Sequence, residues 1–122
     1  MSRKILVVED NEKNRVLIRD ILKFHGYEII EAENGEEGVK KAKEHKPDLI
    51  LLDIQMPVLD GFGAIEMLRS DPDTKGIKTI ALTSFAMKGD KEKIMEAGFD
   101  GYMAKPIDTR NLHTEILEFF ND

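Results

Sequence analysis

The acids of this chain sit where they could do chemistry. Asp53 ends the apolar run Leu49-Ile50-Leu51-Leu52, and Glu9-Asp10 ends a second run, Ile5-Leu6-Val7-Val8. A short, unbroken apolar run that stops at a carboxylate reads as a parallel strand buried on both faces, delivering an acid to one edge of a sheet. If the two strands are neighbours, the acids converge. Like charges in a half-buried crevice raise one another's pKa and oppose folding. A hard divalent cation relieves that repulsion, and magnesium takes a few carboxylates, a backbone carbonyl and several waters. In that arrangement Asp10 and Asp53 bind directly, Glu9 binds through water, and the backbone carbonyl of Gln55 completes the protein's share. The competing reading is that Glu9 and Asp10 only lead into the first helix as N-terminal acids; the partner acid on the other run counts against it.

Three further residues fall at or near the same edge. Lys105, followed by Pro106, is placed to reach across the site as a point charge for a phosphate or carboxylate, and a Lys-Pro bond in a tight loop is open to the cis form. An ordinary surface lysine is the alternative. Thr83, followed by Ser84, offers a hydroxyl to a phosphoryl oxygen, against the plainer reading of a β-branched residue chosen for a strand. Tyr102 lies within a strand, where half-buried packing competes with any switching role. His25, His45 and His113 fall in or beside helical stretches, away from the strand ends. They read as solvated helix residues, which disfavours a histidine phosphocarrier or a histidine-based hydrolase. The six methionines, Met67 and Met95 among them, read as core filler.

The elements that must position these groups are legible as five apolar runs alternating with five helical patterns. The strands are expected over Lys4–Glu9, Tyr27–Ala32, Leu49–Asp53, Thr79–Thr83 and Gly101–Lys105. In the first helix Leu17, Ile21 and Phe24 recur at helical spacing with Ile18 and Leu22 beside them, and Gly26 permits a left-handed end. The second helix opens on Asn34 as N-cap with Glu37 three residues on. The third runs from Phe62 to Arg69, burying Ile65 and Leu68, and stops at the Ser70-Asp71-Pro72-Asp73 turn. The fourth spans Lys88–Ala97 with Ile94 and Met95, ending at Gly98. The fifth starts near Asp108 or Thr109 and aligns Leu112, Ile116 and Phe119. Gly61, Gly63, Gly76 and Gly89 read as loop or turn points. Strict alternation of strand and helix predicts an α/β fold: a doubly wound, flavodoxin-like (βα)5 sandwich whose five parallel strands run in the order 2-1-3-4-5. Ligands of such folds gather at the carboxyl ends of the strands, where Glu9, Asp10, Asp53, Thr83 and Lys105 all fall.

Composition narrows the function classes. The 122 residues suit one domain, 1–122, and 41% hydrophobic content suits a real core. There is no cysteine, so no disulfide framework and no thiolate metal site. The formal charge of -6 disfavours nucleic acid as a direct partner. No stretch approaches the roughly 20 apolar residues of a membrane span, and Met1-Ser2-Arg3-Lys4 runs straight into a strand without the pattern of a signal peptide. A cytoplasmic protein without membrane insertion is the expectation.

Taken together, several stretches resemble the receiver domain of two-component response regulators, the CheY-like superfamily. They are Val8-Glu9-Asp10-Asn11; Pro47-Asp48 through Asp53-Ile54-Gln55-Met56-Pro57 with Asp60-Gly61; and Leu82-Thr83-Ser84-Phe85-Ala86 with Lys105-Pro106-Ile107. The Phe85-Ala86-Met87-Lys88-Gly89-Asp90 stretch resembles single-domain regulators of the DivK type and receivers of hybrid kinases. The resemblance implies that Asp53 is the phosphoacceptor, that Glu9, Asp10, Asp53 and the Gln55 carbonyl hold Mg2+, that Thr83 and Lys105 meet the new phosphoryl group, and that Tyr102 swings inward as Thr83 moves. Ser84, where alanine is frequent in the family, is a mild variant. The resemblance also implies a sensor histidine kinase or histidine phosphotransfer protein as donor. The downstream protein would dock on the face of the fourth helix, fifth strand and fifth helix. Stoichiometric phosphoacceptance with slow self-dephosphorylation is expected rather than enzymatic turnover. The chain stops at Phe119-Phe120-Asn121-Asp122, soon after the fifth helix, and no effector domain is expected in it.

Three other classes stand beside this one. A small magnesium phosphohydrolase would want an acid where Gln55 stands. A flavodoxin-like electron carrier would want a glycine- and hydroxyl-rich loop where Glu9-Asp10-Asn11-Glu12 would repel a phosphate. A degenerate receiver acting as a scaffold would have lost site residues that are all present here.

Overall fold

The computed structural model describes residues 3–55, 59–84 and 88–120. The motif residues Met56, Pro57, Phe85, Ala86, Met87, Asn121 and Asp122, and the initial Met1-Ser2, lie outside the described residues. Ten elements alternate: β1 Lys4–Val8, α1 Glu12–Phe24, β2 Glu28–Ala32, α2 Gly35–His45, β3 Leu49–Asp53, α3 Gly61–Ser70, β4 Lys78–Thr83, α4 Lys88–Ala97, β5 Gly101–Ala104 and α5 Leu112–Phe120. All pairings are parallel and the sheet order is β2-β1-β3-β4-β5, as the alternation predicts.

The strand period of two divides the core. One set of side chains, including Leu6, Val8, Ile50 and Leu52, packs with Val39, Ala64, Ile65, Leu68 and Ile94 from α2, α3 and α4. The alternate set, including Ile5, Val7, Leu49, Leu51 and Leu82, packs with Ile18, Leu22, Leu112 and Ile116 from α1 and α5. Every residue of β3 is buried, which explains its unbroken apolar run and leaves Asp53 as its one charged member. No helix among the described residues is long and apolar enough to cross a membrane.

Several sequence expectations need correcting. The fully buried stripe of α1 is Arg15, Ile18 and Leu22; Leu17 is exposed and Phe24 is 86% exposed, while Ile21 between them is half-buried against the same core. Met67 and Met95 stand half in solvent on α3 and α4 rather than filling the core. Gly61, Gly63 and Gly89 lie inside helices, and only Gly76 of that group lies in a turn. α5 starts at Leu112, because Asp108 first folds a tight turn: its carboxylate accepts from the Arg110 amide and the Asn111 side chain. β1 and β5 stop one residue short of Glu9 and Lys105. The ladder nonetheless continues through them, since the Glu9 amide donates to the Ala32 carbonyl and the Lys105 amide to the Thr83 carbonyl. β2 begins at Glu28 and β4 at Lys78, each one residue from the expected start.

Caps and close contacts fix where the strand ends lie. Asn11, Asn34 and Asp60 cap α1, α2 and α3 through their side-chain oxygens. Gly26 has φ 92°, the left-handed conformation that lets the chain leave α1 and enter β2. Gly61 has a different reason. A Cβ there would lie 2.5 Å from the Ile54 Cα, so only glycine lets α3 start against the loop that follows Asp53.

Candidate functional site

Register brings the acids together before any side chain is considered. Val8 pairs with Leu52 across β1 and β3, so Glu9 and Asp53 emerge side by side at the same edge. Asp53 pairs with Leu82 and Thr83 with Ala104, which sets Thr83 and Lys105 on the adjoining strand ends. Glu9, Asp53 and Thr83 are buried, while Asp10 is exposed. One carboxylate oxygen from each of Glu9, Asp10 and Asp53 lies within 4.8 Å of the others. These residues line a cleft of about 530 Å3 together with Asn11, Asn14, Gln55, Ser84 and the Lys105–Ile107 loop.

The electrostatics differ from the sequence expectation in one respect. The cluster already holds a cation of its own: Lys105 Nζ donates to Asp53 Oδ2 at 2.6 Å and stands 3.1 Å from Glu9 Oε2. Burial works against the ammonium charge, but its hydrogen bonds to Asp53 and Glu9 outweigh that and raise the lysine's pKa. The Lys105-Pro106 peptide bond is cis. Asp53 Oδ1 accepts from the Gln55 amide at 2.9 Å, and Glu9 Oε1 accepts from the Asn11 amide at 3.2 Å.

Glu9 is the strained member. Burial, and then the carboxylate of Asp53, raise its pKa from 4.5 to about 7, against the opposing pull of Lys105. Its buried Oε2 has the Lys105 ammonium at 3.1 Å, an ion pair whose angle falls short of a well-formed hydrogen bond. Three carboxylates and one ammonium leave a formal charge of about -2 when all are ionised. That charge, the three converging carboxylate oxygens and the open side of the cleft at Asp10 fit a hard divalent cation that keeps several waters.

Two expected participants stand differently. Thr83 is fully buried at its strand end, beneath the exposed Ser84. Tyr102 does not line the cleft; it is half-buried on β5, packed against the core cluster shared by α2, α3 and α4, with Lys91 Nζ 5.3 Å from its ring centre. The histidines are remote from the cleft, but His25 and His113 are not simply solvated: their rings stack at 3.8 Å, and His113 Nε2 meets the Tyr27 hydroxyl at 3.1 Å.

Sequence reasoning did not single out Arg15. It is buried behind Glu9, with Nη1 donating to the Glu9 backbone carbonyl at 3.0 Å and Nε to Glu31 Oε1 at 3.1 Å. The signal was present: Arg15 stands three residues before Ile18 and seven before Leu22, a basic residue on the helix's apolar stripe.

Known proteins are similar to this chain in sequence and in fold. Residues 5–117 match the family model described as the response regulator receiver domain. The chain is 42% identical over 122 residues to the polar-differentiation response regulator DivK of Brucella anthropi, covering 100% of this chain and 99% of that protein. It is similar to the crystal structure of the receiver domain of sensor histidine kinase PA1611 from Pseudomonas aeruginosa PAO1, with magnesium ion coordinated in the active site cleft. There the TM-score is 0.90 at 33% identity, with 100% of both chains covered. It is also similar to a chain in the co-crystal structure of the Saccharomyces cerevisiae histidine phosphotransfer signaling protein Ypd1 and the receiver domain of its downstream response regulator Ssk1. That match has a TM-score of 0.90 at 30% identity, covering 97% of this chain and 88% of that one.

Proposed function

The chain belongs to the response regulator receiver domain family of two-component systems, and from that premise we propose that it accepts a phosphoryl group on Asp53 from a phosphohistidine of a sensor kinase or histidine phosphotransfer protein. The observation that carries this reading is the Asp53 carboxylate itself, buried yet opening onto the cleft, with Lys105 on one oxygen and the Gln55 amide on the other. An Asp53 oxygen attacks phosphorus, the P–N bond breaks, and its electron pair returns to the donor imidazole. Positioning and charge neutralisation supply most of the rate in such transfers. Glu9, Asp10, Asp53 and the Gln55 carbonyl are the groups that would hold magnesium. Bound there, magnesium would offset charge on the transferring oxygens.

The mixed anhydride carries about -1.5 to -2 charge in place of the carboxylate's single charge, with three acceptor oxygens. Lys105, already within reach of Asp53, re-pairs with one of those oxygens, and the Thr83 hydroxyl donates to another. Those two bonds draw on the loops that follow β4 and β5, and Tyr102 turns inward as Thr83 moves. The domain is thereby biased between two states that differ on the face of α4, β5 and α5, where a downstream protein docks. The yeast complex of a histidine phosphotransfer protein with a receiver domain supports a protein donor. The role is stoichiometric: one phosphoryl group per receiver domain, residues 1–122, lost slowly by hydrolysis in the same cleft.

The test is transfer from a phosphorylated histidine phosphotransfer protein to wild type and Asp53→Asn, with circular dichroism to show that both fold. Label is expected on wild type alone. Equal labelling of Asp53→Asn would remove Asp53 from the role.

A further inference from the structure

The geometry points to Arg15 as a positioning residue that orients the metal-binding acids from behind. This rests on the magnesium reading of the cleft. The backbone is held on either side of Glu9: the Glu9 amide, in the peptide that follows Val8, donates to the Ala32 carbonyl at 3.1 Å, and the Glu9 carbonyl, in the peptide that leads to Asp10, accepts from Arg15 Nη1 at 3.0 Å. Rotation of that peptide would swing the Asp10 carboxylate. Asp10 is exposed, and among the described residues the peptide that leads into it is what holds it. Arg15 is in turn fixed by Glu31 at the end of β2, with Glu33 Oε1 3.7 Å from Nη2. A planar guanidinium can bond a carbonyl and a carboxylate in two directions at once; a lysine ammonium on a flexible stem does not reproduce that fork.

Charge and positioning predict opposite signs. Arg15 is a cation close to a cation site, so a purely electrostatic role would make its neutralisation tighten magnesium binding. A positioning role makes its loss weaken binding, by about tenfold if it resembles other groups that orient metal ligands through a hydrogen bond.

The experiment is calorimetric titration of wild type, Arg15→Lys and Arg15→Met with MgCl2, beside acetyl phosphate labelling across magnesium concentrations. Both variants are expected to bind magnesium about tenfold more weakly, with the half-saturating magnesium concentration for labelling raised and the rate at saturating magnesium kept. A structural role alone would lower the folded fraction without moving half-saturation. A third measurement uses wild type only, so that misfolding of the variants decides nothing: the Arg15 Nε–H resonance is expected to shift as magnesium is added. Normal wild-type binding with unchanged variant affinity, or an unmoved Arg15 resonance during saturating wild-type binding, overturns this inference alone. Wild type that takes up no magnesium overturns the reading of the cleft and this inference with it.

Discussion

Replacing Glu9 with glutamine isolates the cost of crowding three acids. The pKa of Glu9 is 4.5 in the unfolded chain and about 7 in the fold, raised first by burial and then by Asp53. Between those values the folded state binds a proton that the unfolded state has lost, so stability falls as pH rises. At about 1.4 kcal/mol per pH unit the ceiling is about 3 kcal/mol. Water in the open cleft screens part of this, which leaves about 1–2 kcal/mol. Glu9→Gln removes the titration. The assay is urea denaturation of both proteins in EDTA from pH 4 to 8. Wild type is expected to lose about 1–2 kcal/mol relative to Glu9→Gln between pH 4.5 and 7, and then to level off. In saturating magnesium the order reverses, because the carboxylate then has a cation to meet. A pH-independent difference between the two proteins in EDTA would refute the argument.

Three other substitutions test separate parts. Lys105→Met leaves Glu9 and Asp53 without their ammonium; it should destabilise the metal-free protein by about 2 kcal/mol at pH 8 and tighten magnesium binding, since a competing cation is gone, whereas weaker magnesium binding would contradict the competition. Tyr102→Ala should reduce binding of a downstream protein to the phosphorylated form more than it reduces labelling; equal losses would contradict a switching role. Gly38→Ala would set a Cβ 2.8 Å and 2.9 Å from the two Val8 methyls, just before Glu9; that overpacking should exceed the gain of about 1 kcal/mol in helix propensity for a net loss of about 1–2 kcal/mol in denaturation, and a stabilised variant would show that β1 yields.

The sheet was legible because its chemistry is local. An unbroken apolar run as short as Leu49–Leu52, flanked by turn residues, reads as a strand covered on both faces, and strict alternation with helices leaves few topologies. The convergence of Glu9, Asp10 and Asp53 followed from the strand order. Less legible was whatever depends on which side of an element a residue faces. In α1 two apolar spacings compete, Leu17–Ile21–Phe24 and Ile18–Leu22, and the sheet buries the second fully and only Ile21 of the first in part. Arg15 was hidden by the same ambiguity, since a basic residue in a helix reads as solvated until its stripe is known to face inward. The built-in counter-ion was also beyond the sequence. Repulsion among the acids called for a cation, but only the chain's path after β5 shows Lys105 Nζ lying between Asp53 and Glu9.

The proposed function turns on Asp53 taking a phosphoryl group with help from a metal held by its neighbours. The most direct measurement is incubation of the protein with acetyl phosphate, with and without magnesium, followed by intact mass and peptide mapping after reductive trapping. A single phosphoryl adduct is expected, on Asp53, formed in magnesium and absent in EDTA. An adduct on another residue, or equal formation in EDTA, would contradict it.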